Sequence, residues 1–460
     1  MKKKNVKNII VGFGKGGKTL AKFLAQNGEE VVVIEQSKSM YGGTCINIGC
    51  IPSKSLIVNS EKAVKFDEAV KIKSDLTAKL NQKNYHMIAD EMTADIIDGS
   101  AHFISDNEIE ISSNDGQILQ VLTGERIFIN TGAKPMIPEL SGIEHSKNIL
   151  TSTELMDLGN LPEKIVIIGS GYIGLEFASM LANYGAKVTV IDEHESFLPK
   201  EDEEMSARIK ADLESSGIEF ILGAEISALE DVENQTIVHL GNSSSANVDD
   251  SKRINSQESV AALTADKILV ATGRSANTEK LGLENTSVKL GVRGEILVNE
   301  KLETSAKNIW AIGDVHGGAQ FTYTSLDDFR IIQNQLYGDQ TKTLKTRGEI
   351  PTSLFITPTF SSIGYNEKTA KAAGIPYKLF KLEATAIPKS AILRQAKGLL
   401  KALVNPETLE ILGAQIYAEE SHETINLFTL VMKAKLPYTV LRDQIFTHPT
   451  MSEALNDLFK

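Results

Sequence analysis

Apolar residues in this chain come in short runs broken by glycine turns, and the same alternation occurs twice. Residues 6–11 form a β-type run, and Gly12-Phe13-Gly14-Lys15-Gly16-Gly17 follows at once. Residues 18–26 carry apolar side chains at helical spacing, Gly28 ends them, and the continuous apolar run 31–34 is closed by Glu35. Strand, glycine turn, helix, strand is a βαβ unit. The second copy has a strand at 164–168, the turn Gly169-Ser170-Gly171-Tyr172-Ile173-Gly174, a helix at 175–183 and a strand at 187–191 closed by Asp192. Between the copies, 60–90 reads as a polar, solvated helical pair with no site, and 94–97 and 125–130 read as strands. Two strands run into Thr-Gly exits, at Gly132 and Gly273, and a third ends in Gly313-Asp314. The Asn-, Ser- and Asp-rich stretch 234–259 reads as an exposed hairpin tip. After Pro351, β-type runs at 399–404 and 411–416 and helical runs at 421–434 and 452–460 make a separate α+β domain. The expected class is α/β, with two Rossmann-like dinucleotide folds and a C-terminal α+β domain, divided as 1–149, 150–272, 273–345 (a return to the first fold) and 346–460.

In both copies the acid lies 23 positions after the first glycine, 12 to 35 and 169 to 192. The glycines let backbone approach a pyrophosphate at a helix N-terminus, and the terminal carboxylate accepts bonds from a ribose diol. One G-x-G-x-x-G alone is weak evidence. Two, each in register with its strand, helix and acid, predict two dinucleotide sites.

At 460 residues the chain is long enough for several domains. Its 42% hydrophobic and 23% charged residues fit an ordinary globular protein. A net charge of −12 argues against binding nucleic acid or anionic membranes. The lysines at 2–4 resemble a signal-peptide start, but the apolar run after them breaks at Gly12, and no stretch is long enough to span a bilayer. A cytoplasmic protein is expected.

Cys45 and Cys50 are the only cysteines, and they sit close together. A redox pair, a metal site and coincidence are the candidate explanations. In regular helix their Cα atoms would lie ~7.5 Å apart along the axis, whereas a disulfide needs about 7 Å or less. A bridge therefore requires a distorted turn, which Gly49 and Pro52 would permit. A structural metal site normally needs four ligands, and neither a second cysteine pair nor a ligand-spaced histidine cluster is present. The residues favour redox chemistry, with no resident metal.

Two nucleotide folds, Cys-x₄-Cys just after the first, Gly313-Asp314, and His448-Pro449-Thr450-x-Ser452-Glu453 together resemble the flavoprotein disulfide reductases, over essentially the whole chain. Within them, residues 40–50, 318–330 and 441–449 resemble the reactive-chlorine-resistance or hypothiocyanous acid reductase branch. The resemblance implies a glutathione reductase-like fold and a homodimer. It implies that Gly12, Gly14, Gly17 and Glu35 bind the ADP half of FAD, and Gly313 and Asp314 its ribityl and pyrophosphate portion. Gly169, Gly171, Gly174 and Asp192 would bind the nicotinamide nucleotide. Lys54 and Glu176 would pair beside the flavin, and Gly43, Thr44, Gly132 and Gly273 complete the cofactor-binding set. Cys50 would be the thiol against the flavin, Cys45 the thiol facing substrate, and His448, oriented by Glu453, the acid/base for the disulfide of the other subunit.

Charge bears on the nucleotide. Asp192-Glu193-His194-Glu195 has no arginine before Arg208, so NADH is expected over NADPH, unless His194 or Lys200 helps hold a 2′-phosphate. Extra cysteine modules of mercuric and large thioredoxin reductases are missing, and Phe446 stands where lipoamide enzymes often carry histidine. The expected substrate is hypothiocyanous acid or a related small oxidant. Dihydrolipoamide-type disulfides, reduction of Cu(II) or Hg(II), and a non-enzymatic redox-sensing role remain as alternatives.

Overall fold

The computed structural model describes residues 3–241 and 262–460, which fall into two compact units. The first comprises Met1–Leu56, Asp67–Met136 and Gly273–Arg347, and the second Ile57–Phe66, Ile137–Thr272 and Gly348–Lys460.

The first unit is built on β1 (Lys3–Val11), β2 (Val31–Glu35), β3 (Ala94–Asp98), β4 (Ser100–Phe103), β5 (Glu108–Ser112) and β6 (Ile118–Ile129). They run in the order β3-β2-β1-β6-β5-β4, and strand Ile309–Ala311 pairs with the second half of β6. The strands β3, β2, β1, β6 and Ile309–Ala311 are parallel, and β4 and β5 are antiparallel additions. Alternate residues feed two cores: Ile9, Val32 and Ile34 on one face, Ile10, Val31 and Val33 on the other. Burial on both faces is why 31–34 is apolar without a break. Helix α1 (Lys15–Gln26) covers the second face with Leu20, Ala21 and Leu24. Because the strands are parallel, Gly12, Glu35, Asn130 and Gly313 all emerge at the same C-terminal edge, where α/β sheets bind ligands.

The cysteine segment is a broken helix. Helix α2 (Thr44–Asn47) ends at Ile48 with φ −139°, and α3 (Cys50–Glu61) begins at the second cysteine. The expected irregular turn therefore lies between the two thiols. Residues 60–90 do not form a solvated helical pair. One 24-residue helix, α4 (Phe66–Ala89), occupies most of the stretch and buries Lys73, Asn81 and Asn84.

The second unit contains a parallel sheet of Ile218–Leu222, Lys187–Asp192, Lys164–Ile168, Lys267–Val270 and Ile149–Leu150, in that order. It also holds an antiparallel sheet of Ile226–Val232, Gln235–Leu240 and Ala262–Ala265. The first residues of the expected 234–259 hairpin tip form the turn and strand Gln235–Leu240; from 242 on, that stretch lies outside the described residues. The C-terminal α+β region is a five-stranded antiparallel sheet with helices Ser421–Lys433 and Ala454–Leu458. Ile416, Phe428 and Phe459 share its core.

Candidate active site

Both expected dinucleotide turns form, and both are cradles only glycine fits. A Cβ on Gly12 would lie 2.4 Å from Asn130 O, and one on Gly169 would lie 2.6 Å from Ala271 O. Gly174 packs against Gly169 O, at 2.1 Å from its hypothetical Cβ. Helix α1 starts at Gly14 and helix Tyr172–Tyr184 at Gly171, neither with a side-chain cap nor an acid in its first turn. Such N-termini suit a pyrophosphate. Glu35 takes N–H bonds from Phe13 (3.0 Å) and Ser37 (3.1 Å). Burial nevertheless raises its pKa from the ordinary value, against those bonds. Asp192 accepts from Ser170 N (2.7 Å), Ser170 Oγ (2.6 Å) and His194 N (2.9 Å). Burial would raise Asp192, but the bonds from Ser170 and His194 outweigh it and hold the acid below its ordinary value. These cradles, open N-termini and terminal acids fit FAD at the first turn and a nicotinamide nucleotide at the second.

The glycines expected at the strand exits have the backbone that position demands: Gly132 at φ +71°, Gly273 at +120°, Gly313 at +74°. Gly313 N donates to Asp328 (2.6 Å), which His316 also reaches at 3.2 Å. Asp314 beside it is pushed up by burial and pulled down by Arg274. Arg274 itself donates to Ala133 O and is attracted by Asp314 and Cys50.

Cys45 and Cys50 are thiols in this structure, half-buried and exposed respectively. A hydrogen bond with Cys50, and then burial, push the Cys45 thiol far up; Thr322 and Lys18 oppose this. Thr322, the first residue of helix Thr322–Tyr337, places its hydroxyl 3.8 Å from Cys50 Sγ. Gly43 (φ +76°) precedes α2, with Thr44 as its first residue, and a Cβ at Gly43 would lie 2.7 Å from Gly14 Cα. The cysteine loop thus presses backbone-to-backbone on the first glycine turn. Lys54 follows Cys50 by one turn of α3, half-buried.

In the second unit, Glu176 is buried in helix Tyr172–Tyr184 and accepts a bond from Phe355 N (3.1 Å). His448 Nδ1 lies 2.8 Å from Glu453 Oε2. A carboxylate only accepts, so Nδ1 carries the hydrogen and Nε2 is left as a base. The imidazole is 70% exposed against 18% for Glu453, so the ring is anchored at one end and open at the other.

Residues 6–328 match the pyridine nucleotide-disulphide oxidoreductase family, and residues 350–459 match its dimerisation domain. The chain belongs to that family. It is 43% identical over 451 residues, 98% of each chain, to the Escherichia coli (strain K12) protein named "Probable pyridine nucleotide-disulfide oxidoreductase RclA". It is 32% identical to a mercuric reductase of Staphylococcus aureus, over 97% of this chain and 80% of that one. Among solved structures, the "Cu(II) complex of HOCl-induced flavoprotein disulfide reductase RclA from Escherichia coli" matches with a TM-score of 0.93 at 42% identity, over 100% of this chain and 99% of that one. The fold class and the reactive-chlorine branch read from the sequence agree with these findings. The chain is an oxidoreductase of a family that joins a flavin to a pyridine nucleotide. Among the described residues no helix is long and apolar enough to cross a membrane, and no three His, Cys, Asp or Glu residues group to hold a metal.

Several residues that shape the site escaped the sequence reading. Asn130, buried at the end of β6, accepts from Gly17 N (2.9 Å) and donates to Ile312 O (2.7 Å), tying the glycine turn to the strand before Gly313. Asn81 and Asn84 of α4 brace the segment that carries the cysteines: Asn81 donates to Ser39 O (3.0 Å) before them and to Asn47 Oδ1 (3.1 Å) between them. The available signals were a polar residue closing an apolar strand and a lysine, Lys18, on the apolar stripe of α1.

Proposed function

We propose that this protein is a homodimeric, FAD-dependent NAD(P)H oxidoreductase that prefers NADH and reduces hypothiocyanous acid or a related small oxidant in the cytoplasm. The observation that carries the reading is the pair of thiols on either side of a helix break, in a loop whose Gly43 presses against the first nucleotide turn. The relative named as HOCl-induced supports an oxidant as acceptor. FAD, held by Gly12, Gly14, Gly17, Glu35, Gly43, Thr44, Lys54, Gly132, Gly313 and Asp314, supplies two-electron transfer from the nucleotide to the disulfide when bound. Gly169, Gly171, Gly174, Asp192 and Gly273 serve the nucleotide side, and Glu176 the flavin. The ionised Asp192 repels a 2′-phosphate and suits a 2′-hydroxyl.

The acceptor step follows from the thiols. The Cys45 thiolate attacks the sulfur of hypothiocyanous acid, forming an S–S bond and displacing hydroxide, which leaves as water with the proton that His448 of the partner subunit has taken from the dithiol. Cys50 then attacks Cys45, expelling thiocyanate and restoring the disulfide. Two electrons pass from the dithiol to the oxidant. Glu453 fixes the imidazole so that Nε2 handles the proton. Exposed Leu430 and Ile445 in the C-terminal region are apolar positions that a second copy would cover.

The test is NADH oxidation against hypothiocyanous acid, oxidised lipoamide, oxidised glutathione, Cu(II) and Hg(II). Hypothiocyanous acid should give the highest kcat/KM, and Cys50→Ser should remove turnover. A lipoamide value orders of magnitude higher would overturn the acceptor, and full activity in Cys50→Ser would overturn the thiol mechanism.

A further inference from the structure

Lys18 lies on α1, directly after the third fingerprint glycine, and is only 3% exposed. Its ammonium donates to Gly42 O at 3.3 Å and to Asn84 Oδ1. Asn84 is itself held by donating to Leu80 O at 2.7 Å, and it packs on Gly42, where a Cβ would meet its amide carbon at 3.1 Å. Helix α1, helix α4 and the segment entering Cys45 thus meet at one buried cation. Among the described residues Lys18 forms no ion pair with a carboxylate. Burying an ammonium with only neutral acceptors is costly and calls for an anion that the neutral neighbours do not supply. The ionisable groups acting on Lys18 are Lys15, which repels it, and Cys45, which attracts it; burial pulls its pKa down to about 8. On Cys45, Cys50 and burial act against charge, and the Thr322 hydroxyl and Lys18 favour it.

We propose that Lys18 is the buried counter-charge of the Cys45 thiolate, a positioning residue that holds the Gly42–Cys45 segment and stabilises negative charge on Cys45 Sγ after the disulfide is opened. The inference rests on the reading above, in which Cys45 is the thiol that meets the acceptor. In the disulfide neither sulfur is charged. Adding two electrons and one proton leaves one thiol and one thiolate, and Cys50 beside Cys45 opposes charge on it. Lys18 offsets that opposition from its buried position, while the proton exchanged with the acceptor comes from elsewhere.

The experiment measures iodoacetamide alkylation of Cys45 against pH in flavin-loaded Cys50→Ser protein, where Cys45 is the only thiol, with Lys18→Gln, Lys18→Arg or Asn84→Ala added. Lys18→Gln should move the midpoint upward by about one pH unit, a roughly tenfold slower reaction at fixed pH below it. Lys18→Arg should stay near the parent, and Asn84→Ala, which loosens the loop but keeps the charge, should shift it by less than a third as much. An unmoved midpoint in Lys18→Gln overturns the inference, including the case where flavin is lost instead, which would assign the counter-charge to a cofactor phosphate. Equal shifts in Asn84→Ala or Lys18→Arg overturn it as well. If Lys18→Gln does not fold, the Arg and Asn84 variants still decide. No acceptor enters the assay, so hypothiocyanous acid can fail as substrate while the shift appears, and the two readings fall separately.

Discussion

At Gly12 and at Gly169 the chain makes the same turn, with an acid 23 residues on that accepts an N–H from the residue after the first glycine. The surroundings then diverge. The carbonyl against Gly12 belongs to Asn130, whose side chain bridges Gly17 and Ile312; the one against Gly169 belongs to Ala271, which has no group to bridge with. Ser325 Oγ braces Gly16 N at 3.1 Å, and Gly43 presses on Gly14. Gly171, by contrast, has nothing within 4 Å of where its Cβ would be. Glu35 is buried, whereas Asp192 carries the exposed His194 on its outer oxygen, at 2.9 Å. The same local motif is locked into its surroundings in one place and left accessible in the other. That is the difference expected between a resident cofactor and one that enters and leaves each cycle.

The largest break in this contrast should come from Asn130→Ala. It strips partners from Gly17 N and Ile312 O in a buried setting, at a cost of about 2–3 kcal/mol. Flavin content, read as the ratio of visible to ultraviolet absorbance, should fall sharply, and the urea midpoint with it. Unchanged flavin content would mean the brace is irrelevant to the first site.

Next in size is a pair of glycine substitutions. Gly14→Ala puts a methyl 2.6 Å from Asn130 Oδ1 and should lower flavin retention. Gly171→Ala faces open space at an ordinary φ of −73°, so stability should change by less than about 0.5 kcal/mol. Its effect should be confined to a higher KM for the nicotinamide nucleotide. Equal loss of flavin in both variants would erase the distinction between the turns.

The smallest effect is on nucleotide choice. The bond to Asp192 raises the pKa of His194, so the imidazole becomes cationic as pH falls through that raised value. The cation offsets Asp192 and offers a donor to a 2′-phosphate. The ratio of kcat/KM for NADPH over NADH should therefore rise from about pH 8 to about pH 6. His194→Ala should flatten that rise while NADH remains preferred, and a rise that persists in the variant would acquit His194.

Much of this was legible in the sequence because it is local. The βαβ units, the acids at matched spacing and the helix break at Gly49 all follow from residues within a few turns of each other. The roles expected for Cys45, Cys50 and the His448–Glu453 pair rest on motif form. Asn130, Lys18 and Asn84 were not legible, because their meaning depends on partners far along the chain: Asn130 on Ile312, and Lys18 on Asn84. The polar look of 60–90 hid the buried face of α4, since two buried asparagines and a lysine interrupt any apolar stripe.

The most direct test of the central claim, that electrons from a nicotinamide nucleotide reach the Cys45–Cys50 pair, is differential alkylation read by mass spectrometry. Protein purified in air is labelled under denaturing conditions before and after anaerobic NADH. The expected result is no labelled cysteine before NADH and both Cys45 and Cys50 labelled after it. Thiols that label equally without NADH, or a disulfide that survives it, would contradict the claim.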